Sequence, residues 1–322
     1  MAEDATYQYE KVGRWQILRN LPAILSTMRK MDPNDSRFVS PPRKYELPEY
    51  CQGMKYCRSK EPYVRPVRWC NPGDPHVVAR AHDLGAFELS DREYAEAAYW
   101  WIKNNMWWEM AGWYDAGETL RRGSGFCWQL NNAYAVLCRC AGIKARFMDF
   151  KLQFDPYRAS GVSVDPFMEN AMDLMGGGLP ESEVEVLIDG MWTSAYIPQT
   201  CALTAASGLP ITEFGETCLD LYYNVVPGTI RYYESVPFMN GLQARFMSRL
   251  APATQERMNV FFQSTETLGQ MILDSMGGPE EYNRVTRQKA KTMKREEVVA
   301  AWGDDLAKIL SADDLAQALS GE

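Results

Sequence analysis

Gly123-Ser124-Gly125-Phe126-Cys127-Trp128-Gln129-Leu130-Asn131-Asn132-Ala133-Tyr134-Ala135-Val136-Leu137 is the stretch whose reading decides the fold. Leu130, Ala133, Tyr134 and Leu137 recur at helical spacing, and Gly142 stands where a C-terminal cap belongs. A glycine-rich loop precedes them, so Cys127 is predicted in the first turn of a helix. Unpaired backbone N–H groups and the helix dipole at that position favour a thiolate and suit an oxyanion. The competing reading is a small buried thiol, like Cys138 and Cys140 further along.

Upstream, Asp74 is a cap for a helix with Pro75 at its first position, ending at Gly85. Ser90-Asp91-Arg92-Glu93 is a capping box opening a second helix, with Tyr94, Ala97, Ala98 and Trp101 as its apolar face. Downstream, Ile143 to Phe154 reads as a strand, and a loop from Asp155 to Pro180 contains Met175-Gly176-Gly177-Gly178. Glu183 to Ile188 and Met191 to Ile197 form a hairpin turned by Asp189-Gly190. Helix, strand, hairpin in that order implies an antiparallel sheet packed on a helix, an α+β fold.

The dense core spans residues 71–245. Before it, residues 1–70 hold a short helical pattern around Trp15 to Met31, then a Pro-, Tyr- and Arg-rich stretch of the kind that wraps over a neighbour. After it, residues 246–322 read as a polar helical extension broken at Gly277-Gly278-Pro279, with a last cap at Ser311-Ala312-Asp313-Asp314. The basic run Arg284, Arg287, Lys289, Lys291, Lys294 and Arg295 reads as a solvated helix face.

Composition narrows the function. Apolar residues at 46% and charged residues at 24% of 322 describe a globular chain, not a disordered one. A net charge of −8 argues against nucleic acid or an anionic membrane as the partner. No run of apolar residues reaches the ~18 needed to span a bilayer. The acidic start, Met1-Ala2-Glu3-Asp4, is unlike a signal peptide, so the 8 cysteines are expected as reduced thiols in a cytoplasmic protein. Cys51, Cys57, Cys70 and His76 have no zinc spacing, and no metal or cofactor is expected. Histidines number only 2, His76 and His82, both on the first predicted helix.

Gly123 to Cys127 followed by Leu137-Cys138-Arg139-Cys140-Ala141-Gly142-Ile143-Lys144-Ala145-Arg146 resembles the cysteine block of the transglutaminase-like superfamily, which has a papain-like fold. Glu181-Ser182-Glu183-Val184-Glu185-Val186-Leu187-Ile188-Asp189-Gly190-Met191-Trp192 resembles its second block. The segment Ser90 to Asn105 is similar to the helix ahead of the cysteine, and Gly208-Leu209-Pro210 to Phe214 to a segment after the hairpin. The resemblance implies a Cys–His–Asp triad: nucleophile, base, and the group that orients the base. Cys127 fills the first place, whereas Glu181 and Tyr196 stand at the histidine and aspartate positions.

That exchange reverses the electrostatics. An imidazolium lowers a thiol pKa from ~8.5 to as low as ~3.5. Two negative charges ~4 Å apart at an effective dielectric of ~20 repel by about 4 kcal/mol. A helix N-terminus returns only ~0.5 to 2 kcal/mol, so Cys127 and Glu181 are expected to share one proton near neutral pH. Such a site suits acid–base or thiol-addition chemistry on a small, partly apolar molecule: isomerisation, elimination or cyclisation. Trp128, Trp108, Trp113 and Glu183 are the candidates for binding that substrate. Two alternatives stay open, an inactive binding or scaffold descendant and an amide hydrolase or acyl transferase.

Overall fold

Helix α4 (Cys127–Ala141) runs through the middle of the molecule, and it is buried on every side from Trp128 to Cys140. A helix buried around its whole circumference needs packing partners on its apolar sides and hydrogen-bond partners for Gln129, Asn131, Asn132 and Arg139. The computed structural model describes residues 39–110, 114–153, 178–217, 228–236 and 252–292. Helices α1 (Pro75–Asp83), α2 (Asp91–Asn105) and α3 (Ala116–Arg122) pack on α4 from one side, and the main sheet packs from the other. The fold is α+β, a cysteine-bearing helix on antiparallel sheet.

Local chemistry sets the helix ends. Asp74 accepts from the N–H groups of His76 (2.9 Å) and Val77 (3.4 Å), capping α1 behind Pro75. Gly117 lies so close to that cap that a Cβ would fall 2.4 Å from the Asp74 carboxyl carbon. Ser90 and Glu93 form the expected capping box of α2. Its buried stripe, however, is Tyr94, Ala95, Ala98, Tyr99 and Ile102, with Ala97 and Trp101 only half-buried. The stripe is rotated because α2 packs between α4 and a helix further along the chain, α5 (Cys201–Ala206). Gly142, at φ 97°, ends α4 in the left-handed conformation.

Short strands β1 (Trp107–Trp108) and β2 (Ser124–Gly125) pair in parallel just before α4. The main sheet has the order β5-β4-β3-β6, all antiparallel. Its strands are β3 (Ala145–Gln153), β4 (Gly178–Ile188), β5 (Met191–Ala195) and β6 (Arg231–Tyr233). Asp189 and Gly190 turn the hairpin at φ 51° and 79°, the two positive values of a type I′ turn. Strand β3 is described as far as Gln153, with Phe154 outside the described residues, and Gly178 to Pro180, expected in the loop, are strand residues of β4. Backbone pairing with Leu152 and Gln153 extends the strand backwards. Residues 155–177 of the expected loop lie outside the described residues.

One face of β3 and β4 carries Ala145, Phe147, Val184 and Val186, all fully buried. The other carries Arg146 and Glu185, paired at 2.5 Å, with the guanidinium over the rings of Trp192 and Tyr232. Residues 39–70 run without long regular elements across the core. Cys57 donates its N–H to the Cys140 carbonyl (2.8 Å), Ala145 to Tyr63 (3.0 Å), and Arg43 its guanidinium to Arg121 (2.8 Å).

Helices α6 (Pro252–Ser275) and α7 (Pro279–Thr292) lie against α5. Gly269 makes the crossing possible: a Cβ there would lie 1.8 Å from the Ala202 carbonyl oxygen. Cys201, Ala202, Ala205, Ile211, Ile272, Leu273 and Tyr282 close a second apolar cluster. The break falls at Gly277 and Gly278, at φ 87° and 106°. The basic run is not wholly a solvated face. Arg284 pairs with its own helix neighbour Glu281, but Arg287 reaches Glu216 (2.5 Å) and the Ile211 carbonyl (2.8 Å). The Trp15 to Met31 pattern, Lys294, Arg295 and the cap at Ser311 lie outside the described residues.

Candidate active site

Cys127 is the first residue of α4, as its spacing from the helical pattern predicts. The N–H of Trp128 hydrogen-bonds its sulfur, a contact available because the first-turn amides have no partner inside the helix. The Cys127 thiol also hydrogen-bonds the Glu181 carboxyl on β4. Neighbours fix Glu181 in turn. Its Oε1 accepts from the Ser182 N–H at 2.9 Å. One turn along α4 from the cysteine, Asn131 Nδ2 donates to the Ser182 carbonyl (2.9 Å) and hydroxyl (2.7 Å), tying β4 to the helix.

Asp149, on β3, is the third acidic group of this cluster. Its Cα is in register with Ser182, next to Glu181. Its Oδ1 is buried with no hydrogen-bond partner among the described residues. Burial pushes the Glu181 carboxyl up to about 8, against the Ser182 N–H and the Cys127 hydrogen bond and with help from the charge of Glu183. Burial first, and then Glu181, pushes Asp149 up to about 8 as well. Cys127 is raised well above the ordinary thiol value by burial first, then by the charge of Glu181.

Lost hydration is the first cause of all three shifts, ahead of charge repulsion, and it moves both carboxyls and the half-buried thiol toward their protonated forms.

The other candidates take different places. Glu183 is fully buried, with Ser194 donating to Oε1 (3.1 Å) and Thr217 to Oε2 (3.0 Å). Tyr196 is buried just beyond β5, and its carbonyl accepts from Lys103 Nζ at 3.2 Å. The Lys103 ammonium lies 5.9 Å from its ring and also donates to Thr212 Oγ1 (2.8 Å). Trp128 is buried in the main core beside the thiol. Trp108 stacks at 3.7 Å on Phe262 of α6, and its N–H donates to Glu266. Trp113 lies outside the described residues. Both histidines sit on α1, where His82 Nε2 bonds the Lys55 carbonyl at 2.8 Å. Among the described residues no cluster of three or more His, Cys, Asp or Glu is arranged to hold a metal ion. Nor is any described helix long and apolar enough to cross a membrane.

Sequence reasoning passed over Asp149, Ser182 and Asn131. The signal for Asp149 was present: it continues the alternation Ala145, Phe147 into a position where an apolar residue is due.

Residues 78–166 match the family model of the transglutaminase-like superfamily. The match runs from α1 through β3 and contains Cys127 and Asp149; it ends before Glu181 and Tyr196. The likeness to that superfamily covers this segment, less than a third of the chain. No curated protein and no solved structure matches the chain.

Proposed function

We propose that the protein is a cysteine-dependent enzyme of acid–base or thiol-addition chemistry, acting on a small, partly apolar molecule by isomerisation, elimination or cyclisation. One observation carries the reading: a helix-terminal thiol hydrogen-bonded to a buried carboxyl whose pKa lies at about 8. A group titrating near ambient pH both gives and takes protons efficiently. Glu181 in its ionised form removes a proton from substrate, or from Cys127 as the sulfur adds to an unsaturated carbon. In its protonated form it returns that proton to the product. The Trp128 N–H stands by the sulfur to stabilise negative charge there. Tyr196 keeps the role of a supporting phenol in this reading from its place in the sequence pattern alone, since its described neighbour is Lys103.

Amide hydrolysis is disfavoured by the same electrostatics. The Cys127 thiol is raised rather than lowered, and neither histidine is among the groups that act on it.

The test is Cys127→Ala, Glu181→Gln and Tyr196→Phe, assayed against a panel of α,β-unsaturated and enolisable carbonyl compounds followed by proton exchange in deuterium oxide. Wild-type exchange, lost in the first two variants and reduced in the third, is the expected result. Ligand binding retained in all three with no exchange in the wild type would establish a binding module instead.

A further inference from the structure

We propose that Asp149 is a positioning residue of the Cys127 site, its carboxyl controlling through its own charge when Glu181 and the thiol ionise. This rests on the reading above and adds a residue to it. Asp149 and Ser182 are cross-strand partners, Ser182 is bonded by Asn131 one turn after Cys127, and Glu181 adjoins Ser182 on β4. On its strand face Asp149, half-buried, lies between buried Phe147 and exposed Lys151, with Ser182 across the strand, and its Oδ1 is buried with no hydrogen bond among the described residues. A carboxyl in such a place costs stability when ionised and unpaired. Hence a purely structural role would be better served by an apolar residue.

Among the described residues the charges around it are these. On β4, Glu181 and Glu183 are both acidic, and on α4 the facing group is the Cys127 thiol. On β6, Arg231 is its register partner, but that guanidinium is exposed and bonds the carbonyls of Gly228 (3.0 Å) and Ile230 (2.6 Å). Lys151, the next cation on its own strand, is exposed. With Asp149 protonated, Glu181 is free to ionise and to accept the thiol proton. With Asp149 ionised, a second negative charge at this spot holds both protons in place. The proton on Asp149 therefore switches the base function of Glu181.

The experiment is the pH dependence of iodoacetamide alkylation at Cys127, read by mass spectrometry of the peptide that contains it, for wild type, Asp149→Asn, Glu181→Gln and Lys151→Gln. Removing the Asp149 charge is expected to lower the alkylation midpoint by about one pH unit, roughly tenfold more thiolate at a fixed pH near that midpoint. Lys151→Gln, which removes an exposed charge, is expected to leave it in place. A midpoint unchanged in Asp149→Asn but lowered in Glu181→Gln overturns the role of Asp149 and leaves the Cys127–Glu181 pair standing. No change in either variant overturns both. Should Asp149→Asn fail to fold, carbon-13 carboxyl titration of the wild type decides. Asp149 is expected to titrate near 8 and lower in Glu181→Gln, whereas a wild-type value near the ordinary ~3.9 overturns the proposal.

Discussion

Glu181 and Glu266 are both buried carboxyls raised by lost hydration, to about 8 and about 7, yet their surroundings differ in kind. Glu266, on α6, accepts from Thr200 Oγ1 at 2.6 Å and from the Trp108 N–H at 3.1 Å, and the Lys44 ammonium acts on it. Every one of those groups belongs to a different part of the chain. Glu266 thus pins α6, β1, the loop after β5 and the N-terminal segment together. Glu181 is bounded, among the described residues, by a thiol, one backbone N–H and two further acids, with no cation among the described groups that act on it. A satisfied buried carboxylate holds structure, whereas an under-compensated one holds a proton that it can exchange.

The comparison can be broken in order of effect. Gly269→Val is expected to act most strongly, since it places carbon against the Ala202 carbonyl where α6 crosses α5. A loss of about 3 kcal/mol in urea unfolding is expected. A loss no larger than a surface change would mean that this crossing is not made. Glu266→Ala should cost about 2 kcal/mol by stranding two donors and a half-buried ammonium. It should leave Cys127 alkylation untouched, and a changed alkylation rate would show that the two regions are linked.

Glu181→Gln is expected to act through pH. Because the folded-state pKa is raised above the unfolded one, the folded protein binds the extra proton. Wild-type stability therefore falls as pH rises from ~4.5 to about 8, at no more than ~1.4 kcal/mol per unit for this group. The Gln variant should show a flatter profile and a relative gain at pH 8.5, read by thermal unfolding across buffers. Equal slopes would mean that Glu181 titrates like an exposed acid. The smallest expected effect concerns the thiol. Alkylation of Cys127 should be slow at pH 7 in wild type, with Glu181→Gln accelerating it chiefly above pH 8, where the wild-type carboxyl is ionised. Fast alkylation below pH 6 would reveal a cation paired with the sulfur.

Much of this was legible in the chain itself. The capping residues Asp74 and Ser90, the helical repeat after Cys127, Gly142, and the Asp189-Gly190 turn act over a few residues, so local sequence determines them. The same local rules place Cys127 at a helix N-terminus, whereas Glu181, ahead of the expected strand, was singled out only by the resemblance.

Long-range packing decided the rest. Which face of α2 is buried depends on α5, more than ninety residues later, and no periodicity within α2 carries that information. Asp149 joins the site only through the β3–β4 register, and Arg287 leaves solvent only because α7 docks beside Glu216. The direction of the shift at Cys127 was also a tertiary matter. Sequence supplies the sign of each charge, but how much water each group loses is set by the residues folded over it, and here that loss outweighs the repulsion.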